Sequence, residues 1–135
     1  MLTKSQRFAA VVMPDVLTVA NSDNLEHKKQ YKSLSKKAGS LVRNSGLIQT
    51  LAFLRARDQE HHQTLLQHLE QELQQMNLLP HDATLYDTVL SAEVPQYMVL
   101  TREILLLLNW HKRLAETLII IPSANEQHGQ EEVPQ

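Results

Sequence analysis

The chain has no cysteine and only three glycines among its 135 residues. The first absence removes disulfides, thiolate metal sites and cysteine nucleophiles, and fits a reducing compartment. The second, with only five prolines, leaves few breakers, so long uninterrupted elements are expected. No G-x-S-x-G turn and no phosphate-cradling glycine loop occurs. Long apolar runs are missing too. Ile104 to Leu108, like every other such run, is far below the roughly 18–20 residues that span a bilayer. The N-terminal stretch is broken by charge and by Pro14, so it does not read as a signal peptide. One soluble cytoplasmic domain is expected from this length.

Acidic residues are also missing from one place. Tyr31 to Arg57 contains Lys and Arg but no Asp or Glu, although the formal net charge of the whole chain is −2. Residues 1–57 carry ten Lys or Arg against Asp15, Asp23 and Glu26, whereas residues 58–135 carry three against twelve acids. Such asymmetry speaks about partners, not about fold. One part of the molecule should attract a polyanion.

What is present is helical periodicity. A first helix is expected from an N-cap at Thr3 to about Ala20, with Phe8, Val11, Val12 and Val19 apolar and Pro14 kinking it or starting a new turn. Ser22 or Asp23 should cap a second helix over about 24–44. On a wheel of about 100° per residue, Tyr31, Leu34, Ala38, Leu41 and Val42 form its core stripe. Lys28, Lys29, Lys32, Lys36 and Arg43 fall in a separate arc on the far side. Gly46 should end this helix. A third, Leu47 to Arg57, is apolar on two sides, with Phe53 pointing away from the face of Leu47, Ile48, Leu51 and Leu54. A fourth carries Leu65, Leu66, Leu69, Leu73 and Met76 opposite a Gln/Glu/His face and breaks at Pro80. A short helix over about 83–92, capped at Asp82, and a long one from Pro95 to about Ile121 complete the set. The middle of the last helix, with Leu105, Leu106 and Trp110 beside its main stripe, should be buried on most sides. The fold class is all-α: a single-domain bundle of five or six helices over 1–121, with a disordered C-terminal tail over 122–135.

No catalytic constellation stands out. His61 and His68 share a face about two turns apart, which is too far for one ion, and His62 faces elsewhere. All three are expected on a solvated helix face, and no metal or cofactor is expected. The His81–Asp82 dipeptide found in metal-dependent phosphohydrolases has no partner histidine at a fitting distance. The remaining acids read as single residues on polar faces. A non-enzyme with no small-molecule substrate is expected. The basic arc is the strongest feature. A solvating face usually mixes signs, so five like charges on one arc point to phosphate contacts. Lys37 flanks the arc, and Arg102, Asn109 and Arg113 make a smaller patch on the last helix. No aromatic falls within the arc, so contact should be to the backbone and independent of base sequence.

Two segments resemble the small all-helical subunit of the Cmr complex, the type III-B CRISPR RNA-targeting effector. In the first the matching residues are Tyr31-Lys32, Lys36-Lys37, Leu41, Arg43, Gly46-Leu47, Gln49 and Leu51 to Leu54. In the second they are Tyr97, Thr101, Glu103, Leu107 to Trp110, Lys112-Arg113 and Ala115. Residues 58–96 carry no matching motif. The resemblance implies a non-catalytic architectural subunit whose copies stack along a backbone of larger subunits holding guide RNA. The basic arc would then face the guide and target RNA, while Phe53 and Arg57 could serve protein contacts. The type III-A small subunit, and a helical adaptor or DNA-binding regulator outside CRISPR, are the alternative readings.

Overall fold

A computed structural model describes residues 1–56 and 59–122. Arg57, and the tail expected to be disordered, therefore lie outside the described residues, apart from Pro122. Six helices follow one another: α1 Lys4–Ala20, α2 Leu25–Ser45, α3 Leu47–Ala56, α4 Glu60–Gln75, α5 Leu85–Ser91 and α6 Val94–Leu118. No strand occurs among the described residues.

Local chemistry sets most of these ends. Thr3 accepts from the Gln6 amide at 3.1 Å and Gln6 returns a side-chain acceptor to the Thr3 amide at 2.7 Å. This reciprocal cap satisfies two donors that the first turn leaves over, a gain of about 1 kcal/mol. Pro14 lies on the exposed side of α1, so the helix continues through it, with the acceptor it leaves unpaired facing water. Asn24 caps α2, in place of the expected Ser22 or Asp23. Gly46 ends α2 at φ 86 and ψ 162, a region that side chains with a Cβ almost never enter.

Helix α4 stops before Pro80. Asn77 turns left-handed at φ 61, and the amides of Asn77 and Leu78 bond back to the carbonyls of Gln74 and Leu73. That pairing closes the last turn. Helix α5 starts at Leu85 and is capped by Thr84, not Asp82. Its first amide also donates to Glu70 of α4 at 2.8 Å, which ties the two helices end to side.

Helices α2 and α6 form the centre, with α1 along α6, α4 against α2, and α3 bridging α2, α4 and α5. The core holds Phe8, Val12, Val16, Tyr31, Leu34, Leu51, Leu65, Leu69, Leu107 and their neighbours. Leu41 is only half-buried. The middle of α6 is less enclosed than expected. Leu106 is 38% exposed, because it lines a groove along that side of the helix, and Trp110 is only partly covered.

Candidate nucleic-acid interface

Of the α2 cations, Lys32, Lys36 and Arg43 lie beside α6 or its C-terminal end. Lys29, Lys36, Lys37 and Arg43 are exposed, and Lys28 is half-buried. Lys32 is partly committed within the fold, since its Nζ donates to the Ile119 carbonyl at 2.7 Å. It neutralises the carbonyl end of α6 and is less available to an outside phosphate. Arg43 donates to Ser40 Oγ at 3.3 Å.

Helix α6 supplies the other side. Arg102 and Arg113 are exposed, and Arg102 approaches Glu103 at 3.7 Å. A shallow depression of about 60 Å³ is lined by Lys36, Gly39, Arg43, Leu105, Asn109 and Lys112. Lys112 thus joins the basic surface, although its place in the sequence puts it off the line. A larger groove of about 520 Å³ shares Arg43, Leu105 and Asn109 with that depression and extends to Tyr97, Met98, Arg102 and Leu106. Among the described residues, no carboxylate lines either feature. Phe53 lies apart. It is half-buried, with its ring 4.9 Å from that of His62, and it borders a depression with Leu41, Ser45, Gln49 and Thr50.

The histidines correct the sequence reading. His61, His62 and His68 are buried, not solvated. The acids are not all on polar faces either: Glu72 and Glu103 are buried and Asp15 is half-buried. Four helices contribute to one buried polar chain. Tyr31 Oη of α2 lies 2.8 Å from His68 Nδ1 of α4 and 3.1 Å from His111 Nδ1 of α6. His111 Nε2 is 2.8–2.9 Å from both Glu72 carboxyl oxygens. Glu72 in turn meets Asp15 of α1, a carboxyl–carboxyl contact that requires a proton on one partner.

Burial raises Glu72 to about 8. Burial, and then the contact with Glu72, raises Asp15 to about 7. Burial lowers His68 and His111 to about 4. It also holds Tyr31 well above the usual phenol range, with the Glu72 and Asp15 carboxyls adding to the shift. His61 is lowered by burial, then by His27 and Lys37. With neutral rings the Tyr31, His68, His111 and Glu72 contacts can be polarised in either sense, because each central group both donates and accepts, while Asp15 Oδ2 is buried with no hydrogen-bond partner among the described residues. The chain borders none of the main surface depressions. Tyr31, His68, Glu72 and His111 are all buried in the core, and Asp15 is half-buried at its edge. Among the described residues no group of three or more His, Asp or Glu is arranged to hold a metal.

A signal for this chain exists in the sequence. Glu72 lies seven residues, or about two turns, after Leu65 and falls within about 20° of it on the wheel. Asp15 likewise falls beside Phe8. Residue type assigns them to water, whereas position places them inside.

Comparison with known proteins matches residues 4–118 to a family model described as "CRISPR-associated protein (Cas_Cmr5)". The match spans 58–96, where no motif is legible. The chain is 36% identical over 119 residues to the CRISPR system Cmr subunit Cmr5 of Thermus thermophilus, covering 88% of this chain and 98% of the relative. The crystal structure of a CRISPR-associated Cmr5 family protein from the same organism superimposes with a TM-score of 0.74 at 33% identity. That match covers 89% of this chain and 100% of the other.

Proposed function

The chain belongs to the CRISPR-associated Cmr5 family, and from that premise we propose that it is a non-catalytic architectural subunit of a Cmr effector complex. In this reading copies stack along the larger backbone subunits, and the α2–α6 surface contacts the backbone of guide and target RNA. The observation that carries it is the continuity of the cations. Lys28, Lys29 and Lys36 lead along α2 to Arg43, and Lys112 and Arg102 extend the surface onto α6 beside depressions with no carboxylate among the described residues that line them. Lys32, Lys37 and Arg113 flank this path. Phosphates are drawn to such a face by counterion release, which needs no base recognition.

The remaining chemistry supports a structural role. The acid–histidine chain that would otherwise suggest catalysis has Tyr31, His68, Glu72 and His111 buried in the bundle, with only its Asp15 end half-exposed. A DNA-reading regulator is disfavoured by α3, which follows the Gly46 turn but buries Leu47, Thr50, Leu51 and Leu54, leaving no polar recognition helix. Phe53 and Arg57 remain the proposed protein contacts.

Crosslinking tests the proposal. When the assembled complex is crosslinked on target RNA, nucleotide adducts should fall on peptides from α2 and α6. Adducts confined to α4 and α5, or none on this subunit, would refute it.

A further inference from the structure

We infer that the groove between α2 and α6 receives an unstacked base from an RNA strand whose phosphates lie on the basic line. This deepens the RNA reading and rests on it. The aromatic that α2 lacks comes from α6. Tyr97 stands in the groove with Met98 and Leu106 as apolar lining, Arg43 and Arg102 at its cationic edge, and Asn109 able to donate and accept. The volume, about 520 Å³, lies within the roughly 300–1,000 Å³ of small-molecule sites.

Two features hold the groove in shape before anything binds. The Tyr97 hydroxyl accepts from the Ile48 amide at 3.3 Å, which anchors the ring to the start of α3. The Arg43 guanidinium is held by Ser40 and lies over Gly39, where an added Cβ would sit 3.4 Å from Nη1. A planar guanidinium fixed beside an apolar slot suits stacking on a base. Continuity selects RNA as the occupant. The depression beside Lys36 and Lys112 runs into the groove through Arg43, Leu105 and Asn109, so a strand following the cations arrives at the apolar slot. Met98 and Leu106, 64% and 38% exposed, are then the side chains a base would cover.

The test compares a single-stranded RNA with a strand of equal length carrying abasic riboses, which keeps the phosphate charge. Binding is followed by anisotropy over a range of salt, with the isolated protein and with the assembled complex. The base-bearing strand should bind about 5- to 100-fold more tightly, as one stacked base allows. Replacing Met98 and Leu106 together by Ser should remove most of that preference and leave the salt slope unchanged. Replacing Lys28 and Lys36 by Gln should do the reverse. Equal binding of the two strands by the unmodified protein, or a preference that survives the Met98/Leu106 change, would overturn the groove assignment while the phosphate reading stands. Failure of both strands to bind, even in the complex, would remove the RNA reading and the groove with it. If the Met98/Leu106 change instead blocks assembly and spares the base preference, the groove holds a protein segment and the inference is wrong.

Discussion

The outer face of α2 and the interior beneath it handle charge in opposite ways. Outside, Lys29 is exposed, and Lys36 and Arg43 stand in water beside depressions with no carboxylate among the described residues that line them. Inside, less than the width of a helix away, Tyr31 of the same helix joins His68, His111, Glu72 and Asp15. The interior removes charge by shifting protons, and the surface keeps charge by staying solvated. The formal charge of −2 therefore counts carboxyls that the fold holds wholly or partly protonated near neutrality. The folded molecule is less acidic than its composition suggests.

The sharpest way to break this comparison is to remove one member of the interior chain. Glu72→Ala or His111→Ala should cost roughly 1–3 kcal/mol in denaturant unfolding, because each leaves a buried neutral polar partner unsatisfied. By contrast, Lys29→Gln or Lys36→Gln should stay within about 0.5 kcal/mol. A surface substitution as costly as an interior one would erase the distinction.

Acid–base behaviour should separate the regions next. Glu72, raised to about 8, loses stabilisation as pH rises from its unfolded value of 4.5 through 8. His111, lowered to about 4, loses it as pH falls from 6.5 through 4. Between about 4.5 and 6.5 the folded and unfolded pair each bind one proton, so the two slopes cancel. From about 6.5 to 8 only the folded pair keeps its proton, and stability should fall by up to about 2 kcal/mol. The result is the same whether the proton sits on Glu72 or on His111. Unfolding free energies measured across this range should show a plateau and then a decline, and Glu72→Gln should flatten the decline. A stability that climbs from about pH 6.5 to 8 would contradict the assignment.

Two further effects concern the boundary between inside and outside. Gly46→Ala should cost about 1–3 kcal/mol, because φ 86 with ψ 162 is open almost only to glycine. Trp110→Ala should cost about 2 kcal/mol, below the roughly 3–5 kcal/mol of a fully buried ring, since Trp110 borders the exposed side of α6. Thermal unfolding of each variant measures both.

These contrasts also explain what is legible in the sequence. The helix starts at Thr3 and Pro95, the stop at Gly46 and the stripe of Tyr31, Leu34, Ala38 and Val42 follow from nearest-neighbour chemistry and helical period, both readable along one strand of text. The surface cations are legible for the same reason, because an arc on one helix needs no partner to define it. The interior chain is not. Whether Glu72 is wet depends on α1, α2 and α6 closing over α4, and its polar type outweighs its place beside Leu65 on the wheel. The groove is hidden likewise, since Tyr97 and Arg43 are distant in sequence. The stop at Asn77 is masked by Pro80, because a left-handed asparagine is a weaker signal than a proline.

The salt dependence of RNA association in the assembled complex tests the central claim most directly. Lys28, Lys29, Lys36 and Arg43 are the positions to change to Gln, with Lys32 spared because it holds the Ile119 carbonyl. Lys4, bonded to Glu103 at 3.2 Å and off the basic line, serves as the control. Each phosphate contributes about 0.9 to the log–log slope on a duplex and about 0.7 on a single strand. The fourfold variant should assemble, stay folded and flatten the slope by up to about three or four units, while Lys4→Gln changes it little. A folded, assembled variant with the slope of the unmodified complex would contradict the account and reduce the basic line to a solubilising face.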